Sequence, residues 1–101
     1  MIQLNDKTFG PNLSSVPRIL VMFSAPWAGP CTIAEKTLEN ASAKIETNTE
    51  VAVFNLDDNP TVPQKYGIRM VPCFILFQDG EPVTMKAGAI SENVLVEMCD
   101  G

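Results

Sequence analysis

The sequence predicts an α/β fold in which a central mixed β-sheet of about five strands is flanked by about four helices. In the first half of the chain, apolar runs of strand length alternate with helical patterns, which is typical of parallel strand–helix–strand units. In the second half, Asp79 and Gly80 separate two strand-like runs and predict an antiparallel hairpin. A chain of 101 residues, 46% of them hydrophobic, is expected to form a single domain over residues 1–101 whose sheet is covered by helices.

The chain begins with a short strand and a short helix before its first central strand. Residues 2–4 alternate between apolar and polar side chains, which predicts an edge strand. Asn5 or Asp6 is expected to cap a helix over residues 7–13. The apolar run 18–23 that follows predicts a central strand covered on both faces.

A turn and a long amphipathic helix follow the central strand. Pro26 and Gly29 predict the turn, and Pro30 suits the first turn of a helix because that position needs no N–H donor. Asn48 is the expected end of this helix. Its apolar residues recur at helical spacing: Ala34, Leu38, Ala41 and Ile45.

A second central strand and a short helix come next. The apolar run 51–56 predicts the strand. The segment 57–59 offers carboxylate and amide caps immediately before Pro60, so a short helix is expected to begin there. Gly67 is suited to its C-terminal end because glycine adopts a left-handed conformation without steric penalty.

The last elements are the hairpin and a closing helix. Strands are predicted over 73–77 and 82–87, and Pro82 indicates that the second is an edge strand because proline cannot donate to a neighbouring strand. Ser91 is expected to cap the closing helix.

Composition excludes several classes of function. The formal net charge of −5 argues against nucleic acid or an anionic membrane as a partner. No apolar run approaches the length of a membrane-spanning helix and no signal-peptide pattern begins the chain, so a cytoplasmic location is expected. The absence of histidine excludes His-based acid–base catalysis and most zinc sites, and the cysteines are not clustered. We expect neither a metal nor a cofactor.

Six short motifs occur in order along the chain. They lie at residues 27–31 (Trp-Ala-Gly-Pro-Cys), 57–60 (Asp-Asp-Asn-Pro), 66–69 (Tyr-Gly-Ile-Arg), 71–72 (Val-Pro), 77–80 (Phe-Gln-Asp-Gly) and 86–89 (Lys-Ala-Gly-Ala). Their types and order resemble those of the thioredoxin family, and the resemblance covers nearly the whole chain, from Leu4 to Met98. It implies the thioredoxin fold and protein-disulfide oxidoreductase activity.

The active-site motif departs from the family at the residue that carries the reaction. The family pattern is Trp-Cys-Gly-Pro-Cys, in which the first cysteine attacks a substrate disulfide and the second resolves the mixed disulfide. Cys31 matches the resolving cysteine, whereas Ala28 stands at the attacking position and has no nucleophile. The helix N-terminus would stabilise a thiolate at that position, because its N–H groups and dipole favour negative charge. The resemblance therefore implies an enzyme scaffold that is inactive in dithiol exchange as written.

A buried polar pair of the family is also missing. Met22 stands where the family has a buried Asp that handles the proton of the resolving cysteine, and Val53 stands where a Lys often lies beside it. Loss of the Asp alone would leave a buried ammonium without a partner, which is strongly destabilising, whereas apolar replacement of both can be neutral. We therefore expect Met22 and Val53 to be mutually adjusted.

The resemblance implies a groove that binds an extended segment of a protein or peptide. Pro72 matches the family's cis-proline, and the backbone before it, at Val71, is expected to pair with the segment. A flavin-dependent thioredoxin reductase would be the electron donor of the dithiol form, and a monomer is expected. The remaining groove residues are Trp27, Gly29, Pro30, Met70, Gly88 and Ala89, with Met70 standing where the family often has Gly.

Two further cysteines require an interpretation. Cys73 follows Pro72 where the family usually has Thr, and a strand starting at Pro72 would bring Cys73 into the neighbourhood of Cys31. The preferred interpretation is a buried, inert thiol, and a disulfide with Cys31 is the alternative. Cys99 is expected to be a packing or frayed-end thiol.

Three functional hypotheses remain open at the level of the sequence. The first is a thioredoxin-type enzyme disabled at Ala28, supported by retention of Trp27, Gly29, Pro30 and Cys31. The second is a natural redox-silent binding module or accessory subunit, supported by the departures at Met22, Val53 and Met70. The third, a monothiol function of Cys31 alone, is the weakest, because a desolvated thiol without a neighbouring cation is poorly reactive.

Overall fold

A computed structural model describes residues 1–101 of the chain. Five strands form one sheet that is flanked by four helices, which confirms the predicted fold class. In chain order the elements are β1 (Ile2–Leu4), α1 (Phe9–Ser15), β2 (Arg18–Ser24), α2 (Gly29–Ser42), β3 (Glu50–Asn55), α3 (Thr61–Lys65), β4 (Cys73–Gln78), β5 (Glu81–Ala87) and α4 (Glu92–Asp100).

The sheet has the strand order β1-β3-β2-β4-β5. β3 pairs in parallel with both β1 and β2, because each of these pairs is joined through helices. β4 pairs antiparallel with β2 and β5. The strand predicted to be central, β2, therefore lies in the middle of the sheet, and the strand that contains Pro82 is an edge, as expected.

Alternate residues of each strand face two different layers of helices. On β2, Ile19, Val21 and Phe23 pack with residues of α1 and α3, on what we term the α1/α3 face. Leu20 and Met22 pack with residues of α2 and α4, on the α2/α4 face. Both faces are apolar because both are covered, which explains the continuous hydrophobic run of this strand.

Two helix boundaries differ from the prediction. α1 begins at Phe9 rather than residue 7, because the Asn5 side chain accepts hydrogen bonds from the N–H groups of Lys7 and Thr8 and holds a turn there. α2 ends at Ser42 rather than near Asn48. The chain beyond α2 is tied instead to the end of α4, where the Asp100 carboxylate accepts hydrogen bonds from the N–H groups of Glu46 and Thr47.

The cap of α3 also differs from the prediction. None of residues 57–59 caps this helix. The Asp6 carboxylate does so from the other end of the chain, accepting hydrogen bonds from Thr61 N–H at 3.1 Å and Val62 N–H at 2.9 Å. The Asn59 side chain in turn accepts a bond from Asp6 N–H at 3.0 Å. The prediction failed because the capping residue is distant in sequence.

The hairpin and the closing helix follow the prediction. Asp79 and Gly80 both have positive φ, at 52° and 83°, as the favoured two-residue hairpin turn requires. Ser91 Oγ accepts a hydrogen bond from Val94 N–H at 3.3 Å and caps α4. None of the helices combines the length and the apolar character needed to cross a membrane.

Candidate active site

Four loops meet at one edge of the sheet, beyond the ends of its central strands. Ser24 at the end of β2 is in register with Asn55 at the end of β3. Cys73 at the start of β4 is in register with Phe23 and with Ala87 at the end of β5. The segments that follow β2, β3 and β5 and the segment that precedes β4 are therefore neighbours, which brings residues 25–28, 56–59, 70–72 and 88–89 to the same edge.

The start of α2 forms the centre of this edge. Ala28 is the N-cap residue, in an extended conformation (φ −95°, ψ 109°), and its carbonyl accepts a hydrogen bond from Cys31 N–H at 3.0 Å. No side chain caps the helix. The N-terminal N–H groups of α2 thus lack a side-chain acceptor at the position where an anion is most favourable.

Cys31 lies behind Ala28 in the first turn of α2. Its side chain is buried, at 4% exposure, whereas Ala28 is half-buried. A side chain at position 28 is therefore more accessible to a partner than the thiol at position 31. This order of accessibility is the one a dithiol pair needs, with an outer attacking group and an inner resolving group.

Met22 and Val53 occupy the sheet beneath the start of α2. They are in register on β2 and β3, and both are buried on the α2/α4 face. The structure contains no buried side-chain nitrogen or oxygen that lacks a hydrogen-bond partner. The apolar pair therefore leaves no unpaired polar group in this part of the core.

Trp27 lies on the surface rather than in the core. Its side chain is 73% exposed, and its indole N–H donates a hydrogen bond to Asp57 Oδ1 at 3.1 Å. The Asn55 side chain accepts a bond from Asp57 N–H at 2.9 Å and fixes that loop. The sequence did not indicate this hydrogen bond between Asp57 and Trp27, since Asp57 was expected to cap a helix and to belong to the motif at residues 57–60.

The segment before β4 presents unpaired backbone to the same surface. The Val71–Pro72 peptide bond is cis, and the Pro72 carbonyl accepts a hydrogen bond from Gly88 N–H at 2.8 Å. The N–H and carbonyl of Val71, by contrast, make no hydrogen bond within the chain. Backbone groups that are free in this way are the kind that can pair with an added strand.

Met70 and Gly88 form the far side of this surface. Gly88 has φ +88°, and a Cβ added there would lie 3.8 Å from Met70 Sδ, so the two residues are adjacent. Met70 is 57% exposed. The other residues predicted for the groove are accessible on this edge to different degrees. Gly29, Pro30 and Ala89 are exposed, and Val71 is half-buried.

The three cysteines are free and buried. Cys73 packs on the α1/α3 face, whereas α2, which carries Cys31, covers the opposite face, so the sheet separates the two thiols. Burial raises the pKa of the Cys73 thiol and raises the pKa of Cys99 to about 11. This placement favours the buried-thiol interpretation of Cys73 and Cys99. No group of three or more His, Cys, Asp or Glu residues is placed to hold a metal ion.

Known proteins resemble this chain over almost its full length. The thioredoxin family model matches residues 1–100. The thioredoxin of Rickettsia bellii is 38% identical over 96 residues, covering 93% of this chain and 90% of that protein. Thioredoxin 1 of Nostoc is 37% identical over 95 residues, covering 92% and 88%. The solved structure of a mutant thioredoxin from Halobacterium salinarum superposes with a TM-score of 0.87 at 29% identity, covering 97% of this chain and 86% of that one.

Proposed function

The chain belongs to the thioredoxin family, and from that premise we propose that it is a protein-disulfide oxidoreductase scaffold whose dithiol cycle is stopped at Ala28. One observation carries the proposal. Ala28 is the N-cap of α2, accessible and without a side-chain acceptor, while Cys31 lies recessed behind it. The helix start and the recessed thiol of the dithiol arrangement are retained, whereas the outer sulfur at position 28 and the buried polar pair at Met22 and Val53 are absent.

The missing step is the formation of the mixed disulfide. In the dithiol reaction, a thiolate at position 28 attacks a substrate disulfide and releases one substrate thiol. The Cys31 thiolate then attacks the sulfur at position 28, forms an intramolecular disulfide and releases the second substrate thiol. With Ala28 the first attack has no nucleophile, and Cys31 is too buried to replace it. The chain is therefore inactive in dithiol exchange.

The surface still supports non-covalent binding of a protein substrate. An extended segment would pair with the free backbone groups of Val71 and lie between Trp27 and Met70, which are both exposed. A flavin-dependent thioredoxin reductase is the expected electron donor for a form of the chain with a sulfur at position 28. The isolated chain is expected to be a monomer.

A redox-silent binding module is the second candidate, favoured by Met22 and Val53. These two residues leave the α2/α4 face without a carboxylate on the sheet beneath Cys31. A chain whose only task is to bind a partner has no need of that carboxylate. Under this alternative the same surface of Trp27, Val71 and Met70 contacts a partner subunit.

One substitution separates the two candidates. In dithiothreitol-driven reduction of a protein disulfide, Ala28→Cys is expected to restore turnover that the chain itself lacks. Ala28→Ser is the matched control, because it adds an N-cap of similar size without a sulfur and should remain inactive. If Ala28→Cys folds and yet stays inactive, the enzyme proposal is wrong and the binding module is favoured.

A further inference from the structure

A narrow cleft of about 220 Å³ opens beside Cys31, between the first two turns of α2 and the edge of the sheet. Cys31 and Glu35 line it from the helix, and Val53 and Asn55 line it from β3. Gln3 of the edge strand β1 completes the opposite wall. The cleft gives the otherwise buried thiol a polar route to solvent that does not pass position 28.

Glu35 and Cys31 are the titratable residues of this cleft. They are four residues apart on α2, so both project from the same side of the helix. The remaining lining residues carry no charge: Gln3, Ser24, Ala25, Pro26, Thr32, Val53 and Asn55.

On its outer side, Glu35 lies beside Lys36 and Glu39 on the exposed surface of α2. Lys36 forms no ion pair with it, since the one salt bridge of the chain joins Lys44 and Glu92. Glu35 is half-buried, whereas Lys36 and Glu39 are exposed. Of these three charges, Glu35 is the one that also lines the cleft beside Cys31.

The cleft adjoins the place where the sheet has lost its polar pair. Gln3, Val53 and Met22 lie in one row across β1, β3 and β2. Val53 belongs both to this row and to the wall of the cleft. The carboxylate that shares the cleft with Cys31 is thus carried by the helix and not by the sheet.

We propose that Glu35 is the proton-handling partner of Cys31, acting through this cleft. The inference deepens the proposed function and rests on it. In a form of the chain with a cysteine at position 28, the Cys31 thiol gives its proton to the Glu35 carboxylate in the resolving step. The resulting thiolate attacks the sulfur at position 28, and the substrate thiolate that leaves takes up the proton from Glu35 or from water. Charge and atoms balance without a further reactant.

The test uses the unaltered chain and does not require catalytic turnover. Alkylation of Cys31 by iodoacetamide is followed against pH, with mass spectrometry to resolve each cysteine. A neighbouring carboxylate disfavours the thiolate, so Glu35→Gln is expected to raise the Cys31 rate near neutral pH by about threefold to tenfold. Glu39→Gln, on the next turn of α2, is the matched control and should change the rate less than about twofold.

Coinciding alkylation profiles of the chain and Glu35→Gln would overturn the inference. So would a Cys31 as unreactive as Cys73 and Cys99, because the cleft would then give no access. The alkylation test does not depend on Ala28→Cys, so failure of the proposed enzyme function is detected separately.

Discussion

Met22 lies in register with Val53 on the neighbouring strand, and the two side chains are buried together on the α2/α4 face. In the family pattern, a buried Asp matches the position of Met22 and a Lys often matches the position of Val53. A single buried charge without its partner is far more destabilising than an apolar pair. The departure of this chain from the family pattern therefore extends beyond Ala28 into the core.

Met22→Asp is expected to lower the free energy of unfolding by about 3 kcal/mol or more near neutral pH, because the carboxyl group would be buried without a partner. Urea denaturation measures the loss. Adding Val53→Lys to Met22→Asp should recover part of it, whereas Val53→Lys alone should be destabilising. Near-additive losses in the double variant would show that the two positions are not coupled.

Asp6 is predicted to stabilise α3 although it lies outside that helix. Asp6→Ala removes the acceptor of two N–H groups, at Thr61 and Val62, and is expected to cost about 1–2 kcal/mol in the free energy of unfolding. Asp6→Asn keeps a side-chain acceptor and should lose less. An Asp6→Ala variant as stable as the parent in urea denaturation would contradict this interpretation of the cap.

The Trp27–Asp57 hydrogen bond is predicted to orient the indole ring rather than to stabilise the fold. Because Trp27 is the only tryptophan of the chain, its fluorescence anisotropy reports the mobility of the ring directly. Asp57→Ala should lower that anisotropy, while the free energy of unfolding changes by less than about 1 kcal/mol at this exposed site. Unchanged anisotropy would mean that the bond does not hold the ring in solution. Asp58→Asn, in the same loop, is the control.

Asp100 is predicted to make stability depend on acid pH. Hydrogen bonds from Glu46 N–H and from the hydroxyl and N–H of Thr47 hold its pKa below the ordinary value of 3.8. Its contribution is therefore complete above that value and is lost as the pH falls through the lower pKa of the folded state. Asp100→Asn should reduce the slope of stability against pH in this acid range. Asp79→Asn, at the exposed hairpin tip, should leave the slope unchanged.

Local and periodic features of the fold could be predicted from the sequence. The Asp79-Gly80 turn, the Ser91 cap and the buried run of β2 each depend on residues that are adjacent or regularly spaced. The end of α2 and the cap of α3 could not be predicted, because Asp100 and Asp6 act on backbone groups more than 50 residues away. Long-range hydrogen bonds of this kind leave no periodic pattern in the sequence.

Some features of the candidate site could likewise be predicted from the sequence, and others could not. The motif from Trp27 to Cys31 and the position of Pro72 were read from the sequence, and the structure brings their loops to one edge of the sheet. The partner of Trp27 and the cleft shared by Cys31 and Glu35 required the structure. The Asp57 contact joins two loops, and the cleft is lined by residues of β1, β3 and α2 that are far apart in the sequence.

The most direct measurement of the central claim is covalent trapping of a disulfide-bonded protein substrate. The doubly substituted chain Ala28→Cys with Cys31→Ala has the outer sulfur but no resolving thiol, so it should accumulate a mixed disulfide at position 28 that mass spectrometry identifies. Ala28→Cys alone should form this adduct only transiently and release reduced substrate. The chain itself and Ala28→Ser should form none. A stable substrate adduct on Cys31 of the unaltered chain, or no adduct on the doubly substituted chain, would contradict the claim that the first attack fails because position 28 has no nucleophile.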